Sequence, residues 1–567
     1  MMIKKLLAAF AGCLLISTNA AAQTTAHIPS ANEVGAIVCP DTIAEVRAPF
    51  GMLRVSRPVF PSRSVNIAKS GAKKNVLCTA VIQKCIDKLS AKGGGRVIVP
   101  AGTWLTGRIT LKDNVELHLQ EGAVLQFSDK IKDYLPAVFT RNEGVELYSL
   151  GSLIYANGAT NIALTGKGKL VGPGKENEIY AQRMDGIVIE NFIRLDSQVE
   201  NRVFDGKSLK DNPAVTFNGT EEKNMNAIFL PMFFAPMNCK NVLVEGVTFE
   251  NSIFWNIVPV YCENVIIRGC SVDSNGGRTD GIDIESSKNV LIEYVTLACG
   301  DDCFTIKSGR AEDGLRVNKA SENIVIRYCL AQRGPGGMTI GSETAGWVRN
   351  VYMHDCVFHS PLNGFYFKTR RNRGGGGENM TFERIRMISP KRAFRWDMLG
   401  SPMYMGELAN RLPIRPIVPL TPAYRHFTMN EILVEKCKTL IAATGIPESP
   451  VEDVKISNLE ARCDEELELS DVLNFSMKNC VINSKKIKTK IYGTESFDLQ
   501  YAHPNKGAFQ APYSRKSGNV CVRSYGLWRC TLGTRTSCNH IRYSFSLLAA
   551  HWLQGSLRPQ HYRCRSS

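Results

Sequence analysis

Asn241-Val-Leu-Val-Glu-Gly-Val-Thr-Phe-Glu-Asn251 and, 23 residues further on, Asn264-Val-Ile-Ile-Arg-Gly-Cys-Ser-Val-Asp-Ser274 are two copies of one pattern. Further copies are Asn289-Val-Leu-Ile-Glu-Tyr-Val-Thr-Leu, Asn323-Ile-Val-Ile-Arg-Tyr-Cys-Leu and Asn350-Val-Tyr-Met-His-Asp-Cys-Val-Phe, with weaker ones starting at Asn161, Asn379 and near Val451. The starts at 241, 264, 289, 323, 350 and 379 are 23, 25, 34, 27 and 29 residues apart. Each copy holds two short runs of β-branched and apolar residues, alternating with period two and broken by a polar or Gly position. A unit this short cannot bury its apolar face alone, so it must stack on its neighbours. The pattern predicts an all-β fold, a parallel β-helix solenoid in which every second side chain points inward. The recurring Asn marks a turn where a side-chain ladder can run from coil to coil. Variable spacing puts the surplus residues into loops, where a solenoid builds its binding cleft.

The pattern extends outward in both directions. Thr79 to Leu89 has helical apolar spacing, Gly93-Gly94-Gly95 stops it, and Val97-Ile98-Val99-Pro100 begins strand-like sequence. One amphipathic helix there suits a cap over the open first coil. The expected organisation is a targeting segment at 1–22, an N-terminal extension at 23–64, the β-helix at 65–495 and a basic tail at 506–567. The targeting segment has Lys4 and Lys5 before the apolar run Leu6 to Ile16, with Ala20-Ala21-Ala22 as a cleavage site. The run is too short to span a bilayer. These features predict a secreted or periplasmic protein with no membrane span.

At 567 residues the net charge is +16. Residues 507–567 contribute nine Lys or Arg without an acid, and the first 22 residues contribute two more, so the remainder holds 58 bases against 53 acids, or +5. Such a body tolerates an acidic polymer without demanding one. The basic tail reads as a disordered or frame-shifted extension, and no nucleic-acid partner is expected. The 18 cysteines lack framework spacing, and several occupy apolar strand positions. They are expected as mostly buried thiols with one or two bridges. No Cys/His set has zinc-ligand spacing, no phosphate loop or G-x-S-x-G elbow occurs, and neither metal nor cofactor is expected.

Two segments carry chemistry. They are Asn275-Gly-Gly-Arg-Thr-Asp280-Gly-Ile-Asp-Ile284 and Ala298-Cys-Gly-Asp301-Asp302-Cys303, and Asp280 and Asp301 are 21 residues apart, close to one coil. Coils stack about 4.8 Å apart, so the three carboxylates converge. Hydrolysis of a glycosidic bond needs one carboxylic acid to protonate the leaving oxygen and one carboxylate to activate water. Crowding raises the pKa of one member and keeps it protonated. A lone Asp in either segment would be read as a turn cap; two such sites one coil apart point to catalysis.

These segments resemble the polygalacturonases and their relatives, family 28 of the glycoside hydrolases. The resemblance covers about residues 60–490, supported by Val65 to Lys73, Gly93 to Trp104 and Leu117 to Leu125. It implies a right-handed β-helix and inverting hydrolysis of galacturonosyl linkages in a pectic polysaccharide or oligosaccharide; the enzyme is expected to be a monomer. On this resemblance Asp301 is the general acid, Asp280 and Asp302 position and deprotonate the water, and Lys368 meets the substrate carboxylate. Two positions depart from the family. Its Gly-His-Gly stands here as Gly334-Pro335-Gly336, and the Arg two residues before the Lys is Tyr366. Both departures favour a modified or rhamnogalacturonan-type chain. Further candidates for lining the cleft are Lys307, Arg310 and Glu343, and Arg370 with Arg371 and Arg373 in a mobile basic loop. Ser308 is a candidate on the same footing as Lys307 and Arg310; His354 and His359 are expected to be structural, and Phe254 and Trp255 buried. The alternatives are a β-helix polysaccharide lyase using Ca²⁺, and a carbohydrate-binding β-helix without activity.

Overall fold

The computed structural model describes residues 27–51, 55–136, 138–174, 230–359 and 361–493, with 179, 203, 204, 207 and 208 and two paired strands, Cys521–Ser524 and Leu527–Cys530. The expected targeting segment and the rest of the expected tail lie outside these residues. Parallel pairing carries the chain through successive coils: Ile162 pairs with Val242, Val242 with Val265, Val265 with Val290, Val290 with Ile324, and Ile324 with Val351. This is the right-handed parallel β-helix. Among the described residues no helix is long and apolar enough to cross a membrane.

The repeated asparagines explain the turns. Asn114, Asn161, Asn241, Asn264, Asn289, Asn323 and Asn350 all have φ between 55° and 59°, a left-handed conformation that Asn tolerates better than most residues. The amide of each later member donates to the one before it, at 2.8 to 3.3 Å. Such a ladder fixes the stacking register because a one-residue slip would break every rung. The 34-residue interval after Asn289 contains helix α3 (Ala311–Val317).

Both faces of the strand after each Asn are apolar, and both are covered. Val242, Val265, Val290 and Ile324 join the interior core. Leu243, Ile266, Leu291, Val325 and Tyr352 point outward and are buried against Ile43, Val46, Ala48, Phe50 and Phe60 of the N-terminal extension. The extension therefore lies along the outside of the solenoid. Helix α1 (Ala31–Ala36) continues it, placing Val34 against Leu330 and Val357. Helix α2 (Thr79–Ser90) buries Ile82, Cys85, Ile86 and Leu89 in one core with Val97 and Val99 of the first coil. At the other end, Lys485–Tyr492 pairs antiparallel to Val472–Ile482 and ends the parallel stacking. Thirteen described cysteines are free thiols, eleven of them buried. The one or two bridges expected from export do not form among these thirteen.

The surface that matters is a third face of the coils. Its strands are β3 (Ile282–Glu285), β4 (Phe304–Lys307), β5 (Gly336–Ile340), β6 (Asn363–Lys368) and β7 (Arg392–Asp397). Their inward residues, Ile284, Ile306, Met338, Phe367 and Trp396 among them, belong to the core. Register aligns Asp283, Thr305, Thr339, Tyr366 and Arg395 in one outward column, and Glu285 with Lys307 and Lys368 with Asp397 in a second. This polar face is partly roofed by a hairpin of β1 (Val138–Asn142) and β2 (Val145–Ser149).

Candidate active site

Asp280, Asp301 and Asp302 stand at the turns leading into β3 and β4. One carboxylate oxygen from each lies within 4.8 Å of the others. The turns are bolted to one another: Gly281 N–H donates to Asp302 O at 2.9 Å, Asn256 N–H to Asp280 O at 2.9 Å, and Gly300 N–H to the buried Thr279 hydroxyl at 3.0 Å. Asp301 accepts the Asp302 N–H at 3.0 Å and the Arg278 N–H at 3.1 Å. Its capping role is real and coexists with its place in the cluster. Gly336 is required by close approach, since a Cβ there would sit 2.2 Å from Asp302 Oδ1.

Two ammonium groups are built into the cluster. Lys368 Nζ donates to Asp302 Oδ2 at 2.8 Å. Lys307, only 4% exposed, lies 3.3 Å from Asp283, 3.8 Å from Asp280 and 4.0 Å from Glu343, and donates to Gly341 O at 3.3 Å. Its Nζ sits 4.7 Å above the Trp255 ring, and Phe254 stacks on that ring. Three carboxylates this close can ligate a cation, but here lysines already supply positive charge among them.

The environments pull the carboxyls apart. Burial raises the Asp280 pKa well above the ordinary range, reinforced by Asp283 and Asp301. Burial, then the charge on Asp302, raises that of Asp301, with Lys368 and Lys307 opposing. Asp302 is buried too, yet Lys368 and Lys307 outweigh the burial and hold its pKa down. Asp283, fully buried, is pushed up to about 8 by burial against the opposing pull of Lys307. Such a set can present one protonated and one ionised carboxyl together, the requirement for acid–base catalysis.

Several sequence expectations change. Lys307 and Glu343, expected to line the cleft, are buried beneath it. Glu343 accepts from Arg310 at 2.9 Å and from the Ser342 hydroxyl at 2.9 Å, and Arg310, Lys307 and Arg373 hold its pKa far down, overriding its burial. Arg310 is 6% exposed and also reaches Glu143 at 3.4 Å. The basic loop is not the mobile run the sequence suggested. Arg371 is buried and donates to Glu448 at 2.7 Å and to the Leu408 and Asn410 carbonyls, and Arg373 is 1% exposed; Arg370 stays half-buried. Ser308 is buried, His354 is buried and bonded to Asp355, and His359 is exposed.

Sequence reasoning missed the groups opposite and beneath the acids. Arg141 of the hairpin is fully buried, donates to Ser286 at 2.8 Å and lies 3.7 Å from Glu285. Arg395 lies 4.4 Å from the centre of the Tyr366 ring, and Lys368 lies 5.0 Å from it. No local signal marks Arg141; the alternation in Arg392–Asp397 would have placed Arg395 outward.

The model for glycosyl hydrolases family 28 matches residues 196–393. The chain is similar to a probable polygalacturonase of Vitis vinifera, 27% identical over 396 residues, covering 68% of this chain and 70% of that protein. It is 26% identical to an exo-poly-alpha-D-galacturonosidase of Dickeya chrysanthemi over 57% of this chain and 55% of that one. The crystal structure of a hyperthermoactive exopolygalacturonase from Thermotoga maritima matches with a TM-score of 0.65 and 31% identity, over 77% of this chain and 96% of that one. A polygalacturonase structure from Erwinia carotovora ssp. carotovora shares the fold, with a TM-score of 0.52 at 20% identity. With its β-helix and clustered aspartates, the chain belongs to family 28 of the glycosyl hydrolases and is a glycoside hydrolase.

Proposed function

We propose that the protein is an exported exo-hydrolase that removes galacturonosyl residues one at a time from the end of a pectic chain. One observation carries this reading: the outward polar face of the cleft sheet is closed at one end and open at the other. Asp283, Glu285, Thr305 and Lys307 on β3 and β4 are at most 4% exposed. On β6 and β7 the side chains of Lys368, Arg395 and Asp397 are 25%, 28% and 15% exposed. The hairpin covers the closed end. A chain entering from the β6–β7 side meets the carboxylates and then a wall, so only its terminal unit passes the scissile position. The exo-acting relatives named above support the same reading.

In this mechanism Asp301, held protonated by burial and by Asp302, gives its proton to the leaving oxygen. Asp302, held ionised by Lys368, takes a proton from water, and Asp280 orients that water. A water bonded at about 2.7–2.8 Å to two oxygens bridges gaps up to about 5.5 Å, so the cluster can hold one between Asp280 and Asp302. Lys368 and Arg395 lie near Tyr366 at the open end and offer cationic contacts to uronate groups, Arg395 one coil beyond the position where the family has its Arg. Inverting pairs commonly stand about 6.5–9.5 Å apart and retaining ones about 5–5.5 Å, so the stereochemistry needs its own measurement. Proton NMR of the first product should show the anomer opposite to that of the bond cleaved; the same anomer would exclude inversion.

Product profiling tests the function itself. Polygalacturonan should yield monomeric galacturonate from the first time points, with viscosity falling slowly. Oligomers appearing first would defeat the exo reading, and an ultraviolet-absorbing unsaturated uronide would make the enzyme a lyase. Pro335 and Tyr366 favour a second reading, a modified or rhamnogalacturonan-type chain end; faster release from such oligosaccharides than from polygalacturonan would establish it.

The pH profile of kcat/KM should be a bell. Asp302 must be ionised and its pKa is depressed, so activity falls only when pH drops through that low value. Asp301 must be protonated and its pKa is raised, so activity falls as pH climbs through that higher value. A profile without an alkaline limb would exclude Asp301 as the acid.

A further inference from the structure

We propose that Glu143, at the tip of the β1–β2 hairpin, is a specificity-determining residue that latches the hairpin shut as the end-stop of the cleft; this rests on the exo reading above. The tip is fastened to the turns that carry the acids. Glu143 Oε1 accepts from the Arg278 guanidinium at 2.9 Å, and Glu143 Oε2 lies 3.4 Å from that of Arg310. Arg278 also donates its main-chain N–H to Asp301, so the Glu143 carboxylate stands one arginine side chain away from that carboxyl. Arg310 bonds Glu343, which lies 4.0 Å from Lys307, and Lys307 in turn lies 3.8 Å from Asp280. The tip is thus tied by two routes to the carboxylate cluster.

The backbone fits the same role. Arg310 N–H donates to Gly144 O at 3.2 Å. Gly144 has φ 84°, and a Cβ there would lie 2.9 Å from Arg310 N and 3.0 Å from Glu343 Cγ. The tip therefore presses directly on the residues of the closed end, at a position that favours glycine.

The hairpin's stem is held independently. Glu146 accepts from the Tyr261 hydroxyl at 2.9 Å, pairs with Arg316, and donates its N–H to Asp313 at 3.0 Å. Arg141 is buried against Ser286 and Glu285. Loss of the Glu143 contacts should therefore loosen the tip while leaving the stem seated. The Glu143 side chain is 21% exposed and that of Arg278 is 35%, so this latch borders solvent at the point where a longer chain would have to emerge. Charge-assisted bonds are the stronger hydrogen bonds of proteins, and two of them converge on one carboxylate here.

The test compares the wild type with Glu143→Ala and Glu143→Gln on polygalacturonan and on digalacturonate. With the latch broken, both variants should release di- and trigalacturonate alongside the monomer. KM for digalacturonate should rise about tenfold as the loosened end wall ceases to hold its terminal unit in place. Circular dichroism melts confirm that the variants are folded; the Gln variant keeps the side-chain volume if the Ala variant is unstable. A wild type that yields only monomer, with variants that also yield only monomer at unchanged KM, overturns the Glu143 assignment alone. A wild type that already yields oligomers overturns the exo reading, and the latch with it.

Discussion

Asp301→Asn should lower kcat by about 10²–10⁴-fold, the usual contribution of a general acid, while an oligogalacturonide still binds. The amide is nearly isosteric but has no proton to give at any useful pH. Its single oxygen can still accept one of the two N–H groups, of Asp302 and Arg278, that Asp301 now satisfies. The fold should lose no more than the cost of one unsatisfied donor, about 1–3 kcal/mol. The charge balance also predicts the pH dependence of the residual activity. Asp301, its pKa raised, is already a neutral acid where Asp302 titrates, so a neutral amide should leave the acid limb of any residual profile in place and remove the alkaline limb. Calorimetry with a trigalacturonate, paired with turnover measurements, separates binding from chemistry. Wild-type turnover in this variant would remove Asp301 from the mechanism.

Lys307→Met should have the second-largest effect, on stability and pH profile together. The substitution leaves Asp283, Asp280 and Glu343 without a shared buried cation. Removing one partner from a buried charge cluster typically costs about 3–5 kcal/mol, which a denaturation midpoint would register. The sign of the pH effect follows from the charges. Lys307 lowers the pKa of Asp280, Asp283, Asp301 and Asp302. Without it all four rise, so Asp302 needs a higher pH to ionise and Asp301 holds its proton to a higher pH. Both limbs of the bell should move upward, with activity below the old optimum lost first. If Lys307 met substrate instead, KM would rise while the limbs stayed in place.

Hairpin and site contrast in how they could be read. The apolar runs Val242-Leu-Val, Val265-Ile-Ile and Val290-Leu-Ile are hydrophobic on both faces, and strands of that kind must be covered on both sides. The sequence shows that a cover exists; nothing in the run identifies Ile43, Val46, Phe50 and Phe60 as the residues that supply it. The misreading of Lys307 has a similar origin. Its place six residues after Asp301 puts it near the acids, but only the packing of Trp255, Asp283 and Glu343 around its ammonium decides that it is buried rather than lining an open groove. The basic run Arg370-Arg371-Asn372-Arg373 looks solvated until Glu448, 77 residues away from Arg371, comes back to meet it.

By itself the sequence determined the solenoid and its three carboxylates. Stacking is a nearest-neighbour arrangement, so periodic Asn, alternating apolar residues and a 21-residue interval between acids are enough to place side chains on the same face of adjacent coils. Tertiary structure alone decided which part of the outward polar face is buried and in which directions burial and charge pull the three carboxyls apart. Both depend on residues brought together across long stretches of chain: Glu143 meets Arg278 over 135 residues, and Lys368 meets Asp302 over 66. Burial and charge act through space, so a chain order that carries the repeat carries no record of those encounters.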